Sequence, residues 1–427
     1  MNTEHLIVAV GVILLATRSL GWMFQRIGQP QVIGEMTAGI LLGPSLLGRL
    51  HPGAFAYIFP SSSFSILGAL SQLGLLLFMF VVGLEVDLKR LLKQRAAVVF
   101  ISNFSILTPL LLGIALATRL YPEFAGPGIG FSGFALFMGT AMSITAFPVL
   151  ARILKEGNLV RTDIGTIAIS CAAVDDITAW FLLAILTALV RPSQSWASLA
   201  LTLLWLLVFV AVMLFPVRRA AWLLERIYER SGAGFELFSV LVLITLAASW
   251  TTDRLGFHPL FGAFMAGLVM PKNGPMAKQI SERIEALTLA LLLPLFFALA
   301  GLRTRLDLLT GKDLWIDVLA IIGIATLGKL AGATITARVT GIRWKESIAI
   351  GVLMNTRGLV ELVVLNAGLE LGILTPKLFT MMVIMALVTT FMTTPILRAM
   401  GIVQSSRREA SLVPAHSSEA VGSAPED

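Results

Sequence analysis

Two adjacent carboxylates, Asp175 and Asp176, lie in a run from Ile164 to Val190 that is otherwise apolar and long enough to cross a bilayer. A charged side chain at the bilayer centre costs roughly 2.5–3.5 kcal/mol on insertion scales, and such residues face a bundle interior and mark ion or proton paths. Asp176 stands about 18 Å along this run, at a helical rise of ~1.5 Å per residue, which is near the middle of a ~30 Å hydrocarbon core. One buried acid would meet a structural need. Two neighbouring acids repel, so the pair points to chemistry.

Three more ionisable residues fall at similar depth. Lys329 lies within Gly328, Leu330, Ala331 and Gly332, whose glycines, four apart, let a neighbouring helix come close. Arg357 and Glu361 are also four apart and share a helix face. The simplest pairing joins Arg357 to Glu361 and Lys329 to Asp175, leaving Asp176 without a partner. A spare carboxylate in a dry site is neutralised by a proton or by a metal cation, hardly by both at once. If the site opens to one side at a time and moves only when Asp176 is neutralised, cation and proton must cross in opposite directions.

Hard oxygen ligands suit alkali cations. Asp176, with Asp175, the Ser143 and Thr145 hydroxyls and backbone carbonyls freed by a helix break, would supply them. Lys329 is either a permanent cation or releases its proton when a cation takes Asp175. Two other readings use the same residues. A sodium-coupled solute symporter also places cations where broken helices cross at the midplane. An intramembrane aspartyl protease would share a proton between two acids, but those acids should come from different helices. A channel would gain little from a site that must be neutral to move. The chain therefore reads as a transporter and not an enzyme, with no cofactor beyond the transported ions.

The elements that position these groups are membrane spans. In 427 residues, 57% of side chains are hydrophobic and 13% charged, too apolar for a soluble chain of this size. Mean hydropathy is +0.88. The net charge of +7 could suggest nucleic acid, but Lys and Arg gather in short runs between apolar spans and read as topology signals. Thirteen apolar stretches can be marked, the first near Leu6 and the last near Leu378; the ninth, Leu255 to Met270, is short and stops at Pro271. Basic residues concentrate on one set of alternating loops, among them Lys89, Arg90, Arg152, Arg161, Arg218 and Arg338, which puts the N-terminus outside and the C-terminus in the cytoplasm. Met1 to His5 carry no basic n-region, so the first span is expected to be retained. Cys171, the only cysteine, allows no internal disulfide and reads as a small buried hydrophobe.

Two spans look interrupted. The fifth carries Gly139, Thr140, Ser143 and Thr145 ahead of Pro148; the twelfth carries Asn355, Thr356, Arg357 and Gly358 at its centre. Paired breaks seven spans apart imply inverted halves and a site at the midplane. Glu35 and Glu236 read as interfacial or structural, Glu85, Asp87 and Lys89 as a solvated end, Gly126 to Gly130 as a turn, Pro294 as a kink, and Gln404 to Asp427 as a disordered tail.

Over nearly all of residues 6–400 the chain resembles the monovalent cation:proton antiporter-2 family, which includes bacterial sodium/proton and potassium/proton exchangers and plant and fungal cation/proton exchangers. Asp175 with Asp176, Lys329 within Gly328 to Gly332, Thr145 to Pro148, and Asn355 to Glu361 carry the resemblance. Softer agreement comes from Gln31 to Glu35, Leu42 to Pro44 and Gly262 to Gly267. The segment from Asn355 to Pro395 is most similar to the plant and fungal branch, which points toward potassium. The resemblance implies an all-α integral membrane protein of about thirteen transmembrane helices, in two inverted six-helix repeats with two broken, crossed helices. It also implies a homodimer working by an elevator movement. Residues 94–190 and 302–402 would be the moving core, 1–93 and 231–301 the scaffold, 191–230 a linker helix and 403–427 the cytoplasmic tail. Asp176 matches the main ion-binding acid, hence the monovalent cation ligand, and Asp175 the acid paired with Lys329; members with this pattern tend to be electrogenic. Arg357, Glu361, Asn355 and Thr356 would complete the charge compensation. A bacterial plasma membrane is the expected location, and no nucleotide-binding domain, nucleic acid or cofactor is expected.

Overall fold

A computed structural model describes residues 3–85, 96–159, 162–190, 196–231, 234–271 and 275–403. Among these, the chain is helical apart from turns and one isolated bridge, Ala125 to Leu374. The first half comprises α1 (Thr3–Arg26), α2 (Gln31–Leu42), the short α3 (Leu47–Leu50) and α4 (Pro52–Ile58), α5 (Ser61–Glu85), α6 (Ala96–Phe124), α7 (Phe131–Ser143), α8 (Phe147–Glu156) and α9 (Asp163–Val190). Then come α10 (Trp196–Val212), α11 (Arg218–Ser231), α12 (Gly234–Arg254), α13 (Pro259–Val269), α14 (Pro275–Leu287) and α15 (Leu293–Leu302). Last are α16 (Lys312–Val339), α17 (Trp344–Met354), α18 (Leu359–Glu370) and α19 (Pro376–Ala399). The disordered-tail expectation, Asp87, Lys89 and the side chain of Glu236 lie outside the described residues.

Among the described residues, eight helices are long and apolar enough to cross a membrane, and the bent pair α17 and α18 brings the figure to nine. The chain is an integral membrane protein. An expectation of thirteen spans counts shorter helices as well, such as α7 and α13. Every residue of α13 from Leu260 to Val269 is buried, so protein rather than lipid surrounds it and it need not match the bilayer's thickness.

Prolines decide where the long helices yield. A π-helical turn, Thr288–Leu292, joins α14 to α15 just before Pro294, and a second, Met213–Val217, contains Pro216. Proline offers no N–H to the carbonyl one turn back. Near Pro294, the carbonyls of Leu289 and Ala290 are instead met by Arg18 Nη2 of α1, each at 2.9 Å.

The helices pack in two groups with matching internal logic. In one, α2 lies between α1 and α15, and α13 lies between α12 and α5. Glycines bring backbones into contact: a Cβ on Gly39 would strike the main chain of Ala298, and one on Gly267 the main chain of Phe80. Gly34 against α1 and Gly262 against α12 repeat the arrangement. In the other group α6 packs on α7, α9 and α16, while α16 packs on α17 and α19. Gly328 and Gly332 of α16 lie against Pro109 and Phe104 of α6, as their four-residue spacing allows. The groups meet where α15 touches α18 and α2 touches α19.

Both interrupted spans are broken. Residues 144–146 separate α7 from α8, and residues 355–358 separate α17 from α18. The breaks touch, with Ala146 N–H donating to the Thr356 carbonyl at 2.9 Å. Gly358 sits so near Val149 that a Cβ would collide with its side chain. The expected turn at Gly126 to Gly130 is present, tied by Gly126 N–H to the Ile373 carbonyl at 3.1 Å.

Candidate functional site

The broken helices present backbone ends in the middle of the molecule. A helix end leaves carbonyls or N–H groups unpaired and carries about half a charge, negative where the helix stops and positive where it starts. The last carbonyls of α7 receive Arg357, whose Nη1 donates to the Ala141 carbonyl at 3.1 Å and whose Nη2 donates to the Met142 carbonyl at 2.6 Å. Arg357 Nη1 also lies 3.2 Å from Glu361 Oε1, and both side chains are fully buried. The Arg357 main chain is held on both sides by Thr390 of α19, whose hydroxyl accepts from its N–H at 3.0 Å and donates to its carbonyl at 2.7 Å.

The last carbonyl of α17, that of Met354, lies 2.8 Å from Thr145 Oγ1. The same hydroxyl lies 2.8 Å from Asp175 Oδ2 and accepts from Lys329 Nζ at 2.7 Å. With one proton to give, Thr145 serves either the helix end or the carboxylate. Lys329 Nζ completes the triangle at 2.9 Å from Asp175 Oδ2, with both side chains wholly buried. The other face of Asp175 is closed by α6: Ser102 Oγ donates to Oδ1 at 2.8 Å, and Ser105 Oγ lies 3.3 Å from Oδ2.

Asp176 differs from its neighbour in every respect but burial. It is 1% exposed, and neither oxygen has a hydrogen-bond partner. The backbone N–H of Phe147, where α8 begins, is directed toward it. That helix start favours a negative charge but does not neutralise it. A carboxylate in this setting needs a proton or a cation from outside the protein.

The remaining expected site residues surround this centre. Ser143 Oγ donates to the Thr140 carbonyl of its own helix at 2.8 Å. Thr356 Oγ1 lies 3.5 Å from Thr393 Oγ1. The buried Asn355 Oδ1 has no partner. Ser102, Ser105 and Thr390 had not been singled out in the sequence. Ser102 and Ser105 leave a faint trace, two hydroxyls three apart that flank Asn103 in a largely apolar stretch. No group of three or more His, Cys, Asp or Glu side chains able to hold a metal ion occurs among the described residues.

Cavities enter between the two groups at both ends. On the side of Gln31 a cavity of about 760 Å³ runs between the two groups, lined by Arg18, Gln31, Glu35 and Glu285 on one wall and by Val149 and Leu359 on the other. Val149 is two residues past Phe147, so this wall adjoins the Asp176 site. Glu35, read from the sequence as interfacial or structural, is buried in the cavity wall, 5% exposed, and accepts from Gln31 Nε2 at 2.8 Å. At the opposite end the groups are tied together. Arg303 Nη1, just past α15, lies 2.8 Å from Asn366 Oδ1 and 3.3 Å from Glu370 Oε1 of α18. A pocket of about 50 Å³ lies beside this tie, and a wider one of about 520 Å³, lined by Gln72, Trp250, His258 and Glu370, adjoins it.

A family model described as "Sodium/hydrogen exchanger, transmembrane" matches residues 12–400. The chain is 40% identical over 398 residues to the Na(+)/H(+) antiporter NhaS4 of Synechocystis, covering 92% of this chain and 97% of that protein. It is 38% identical over 397 residues to the K(+)/H(+) antiporter 1 of Saccharomyces cerevisiae, covering 90% of this chain and 45% of that one. The chain thus spans about half the length of the yeast relative. The fold resembles that of the sodium proton antiporter MjNhaP1 from Methanocaldococcus jannaschii, with a TM-score of 0.65, 16% identity, and coverage of 94% of this chain and 98% of the other.

Proposed function

The chain belongs to the sodium/hydrogen exchanger family, and we propose that it exchanges a monovalent cation, K⁺ or Na⁺, for protons across a membrane, the two competing for Asp176. One observation carries this reading: Asp176 is a buried carboxylate with no side-chain partner, beside an Asp175 whose oxygens are fully engaged. Either cargo neutralises Asp176, and an empty anion at this depth is too costly to move. Transport in opposite directions follows from that competition. Sodium and potassium antiporters among the relatives support the reaction and leave the cation open. A sodium-coupled symporter finds no support in them.

In this reading the group of α6–α9 and α16–α19 carries the site, and the group of α1, α2, α5, α12, α13 and α15 is a scaffold through which two copies pair. The cavity beside Val149 is the cytoplasmic approach, the N-terminus is outside, and the membrane is a bacterial plasma membrane. Sparse contact between the groups, beside dense packing within each, suits an elevator movement.

The test is proton flux in proteoliposomes, following internal pH with a dye while lithium, sodium, potassium or rubidium is added to an acid-loaded vesicle. Potassium or sodium should alkalinise the lumen in the wild type. Cation uptake without proton movement would overturn the reading.

A further inference from the structure

A buried hydroxyl in a membrane helix ordinarily donates to a carbonyl of its own helix three or four residues back. Thr17, Thr245, Ser249 and Thr389 do so here, to Ile13, Leu241, Thr245 and Met385 at 2.7–2.8 Å. Ser102 does not. The carbonyl it would use, that of Val98, faces the Cys171 thiol at 3.6 Å, and Ser102 Oγ turns outward to Asp175 Oδ1 at 2.8 Å. Val98 and Ser102 are four apart on α6, and Cys171 and Asp175 four apart on α9, so the two helices exchange donors in register. Ser105, one turn on, divides its proton between the Ser102 carbonyl at 2.9 Å and Asp175 at 3.3 Å.

The exchange fills Asp175. Its Oδ1 is taken from α6, and its Oδ2 by Lys329 and Thr145. A carboxylate has about four acceptor positions, so little is left for a cation without breaking these bonds. With Ser102 removed, Oδ1 would be open toward a cation or proton one residue from Asp176, and two acids would compete for the same cargo.

We propose that Ser102, supported by Ser105, is a positioning residue that holds Asp175 on Lys329 and thereby confines the exchanged ions to Asp176. This rests on the exchange reading above. The charged or titratable groups around Asp175 are Lys329 from α16, Asp176 and Cys171 on its own helix, and, beyond Lys329, Arg357 and Glu361. The α6 face contributes hydroxyls only.

The experiment compares wild type, Ser102→Ala with Ser105→Ala, and Ser102→Thr, which keeps the hydroxyl, in the same liposome assay. The double variant should keep exchange, because Asp176 is untouched. Its cation KM should change by roughly threefold or more at an unchanged maximal rate, the scale of one or two lost hydrogen bonds, and Ser102→Thr should restore it. A double variant with wild-type KM would overturn the proposal. So would complete loss of exchange at unchanged melting temperature, which is the behaviour of a group touching the cargo. If the double variant unfolds, Ser102→Ala alone carries the same expectation at a smaller shift. Exchange failing in the wild type would instead defeat the functional reading on which the proposal rests.

Discussion

Where α7 stops, its carbonyls meet a guanidinium that is already paired with Glu361 four residues along its own segment. Where α17 stops, its carbonyl meets a hydroxyl whose proton is also sought by Asp175, under an ammonium that serves both. The first end is neutralised by groups that make no hydrogen bond to the acids of α9. The second is neutralised by groups that also bind Asp175 and so respond to whatever happens beside it. Two chemically similar breaks therefore have different work: Arg357 keeps the crossing together, while Lys329 connects it to the site.

The sharpest way to break this comparison is at Asp176. Asp176→Asn should abolish exchange in proteoliposomes while leaving the melting temperature near that of the wild type, since no protein partner is lost. Retained exchange would mean that the cargo binds elsewhere. Arg357→Gln comes next. It strips the α7 end and leaves Glu361 buried alone, for a loss of about 3–5 kcal/mol, seen as a large fall in melting temperature in detergent. A variant as stable as the wild type would show that the first end is not the structural one.

Lys329 tests the second end. Lys329→Gln retains a donor for Thr145 and Asp175 and should lower the melting temperature less than Lys329→Ala, while both alter the charge moved per cycle, measured by currents on solid-supported membranes. Identical stability and charge movement in all three proteins would dissolve the proposed link. The smallest effect is expected at Arg303→Ala. This half-exposed tie is worth about 0.2–1 kcal/mol, enough to shift the balance between conformations without harming the fold. Labelling of a cysteine placed at Ala151, in the cavity wall, should slow by up to roughly fivefold on that energy scale if the cavity closes more often.

The charges were legible in the sequence because each is conspicuous against an apolar background; Asp175, Asp176, Lys329, Arg357 and Glu361 could be found, and two pairs drawn, from depth and spacing alone. Thr145 and the breaks were legible through small and hydroxyl residues beside Pro148 and Gly358. Ser102 and Ser105 were not, because a serine in a membrane helix normally satisfies itself, and only the neighbouring helix reveals that Ser102 does otherwise. The buried hydrogen bond of Glu35 fits a structural role, while the cavity it lines was not legible, because position along a helix says nothing about a space cut between two groups of helices. Cys171 fits its reading as a small buried residue, yet its thiol also occupies the carbonyl that Ser102 gives up.

The glycine contacts bear on how such a molecule can deform. At Gly39 and Gly267 main chains lie on main chains, with no flexible side chains between them to accommodate sliding. Across the cavity, Phe78 and Phe297 face Val149 and Leu359 over open space. Shear is resisted at the first kind of boundary and tolerated at the second, so the cavity would be the slip plane of the proposed movement. A bulky residue at Gly39 would damage the half proposed as the scaffold without touching an ion.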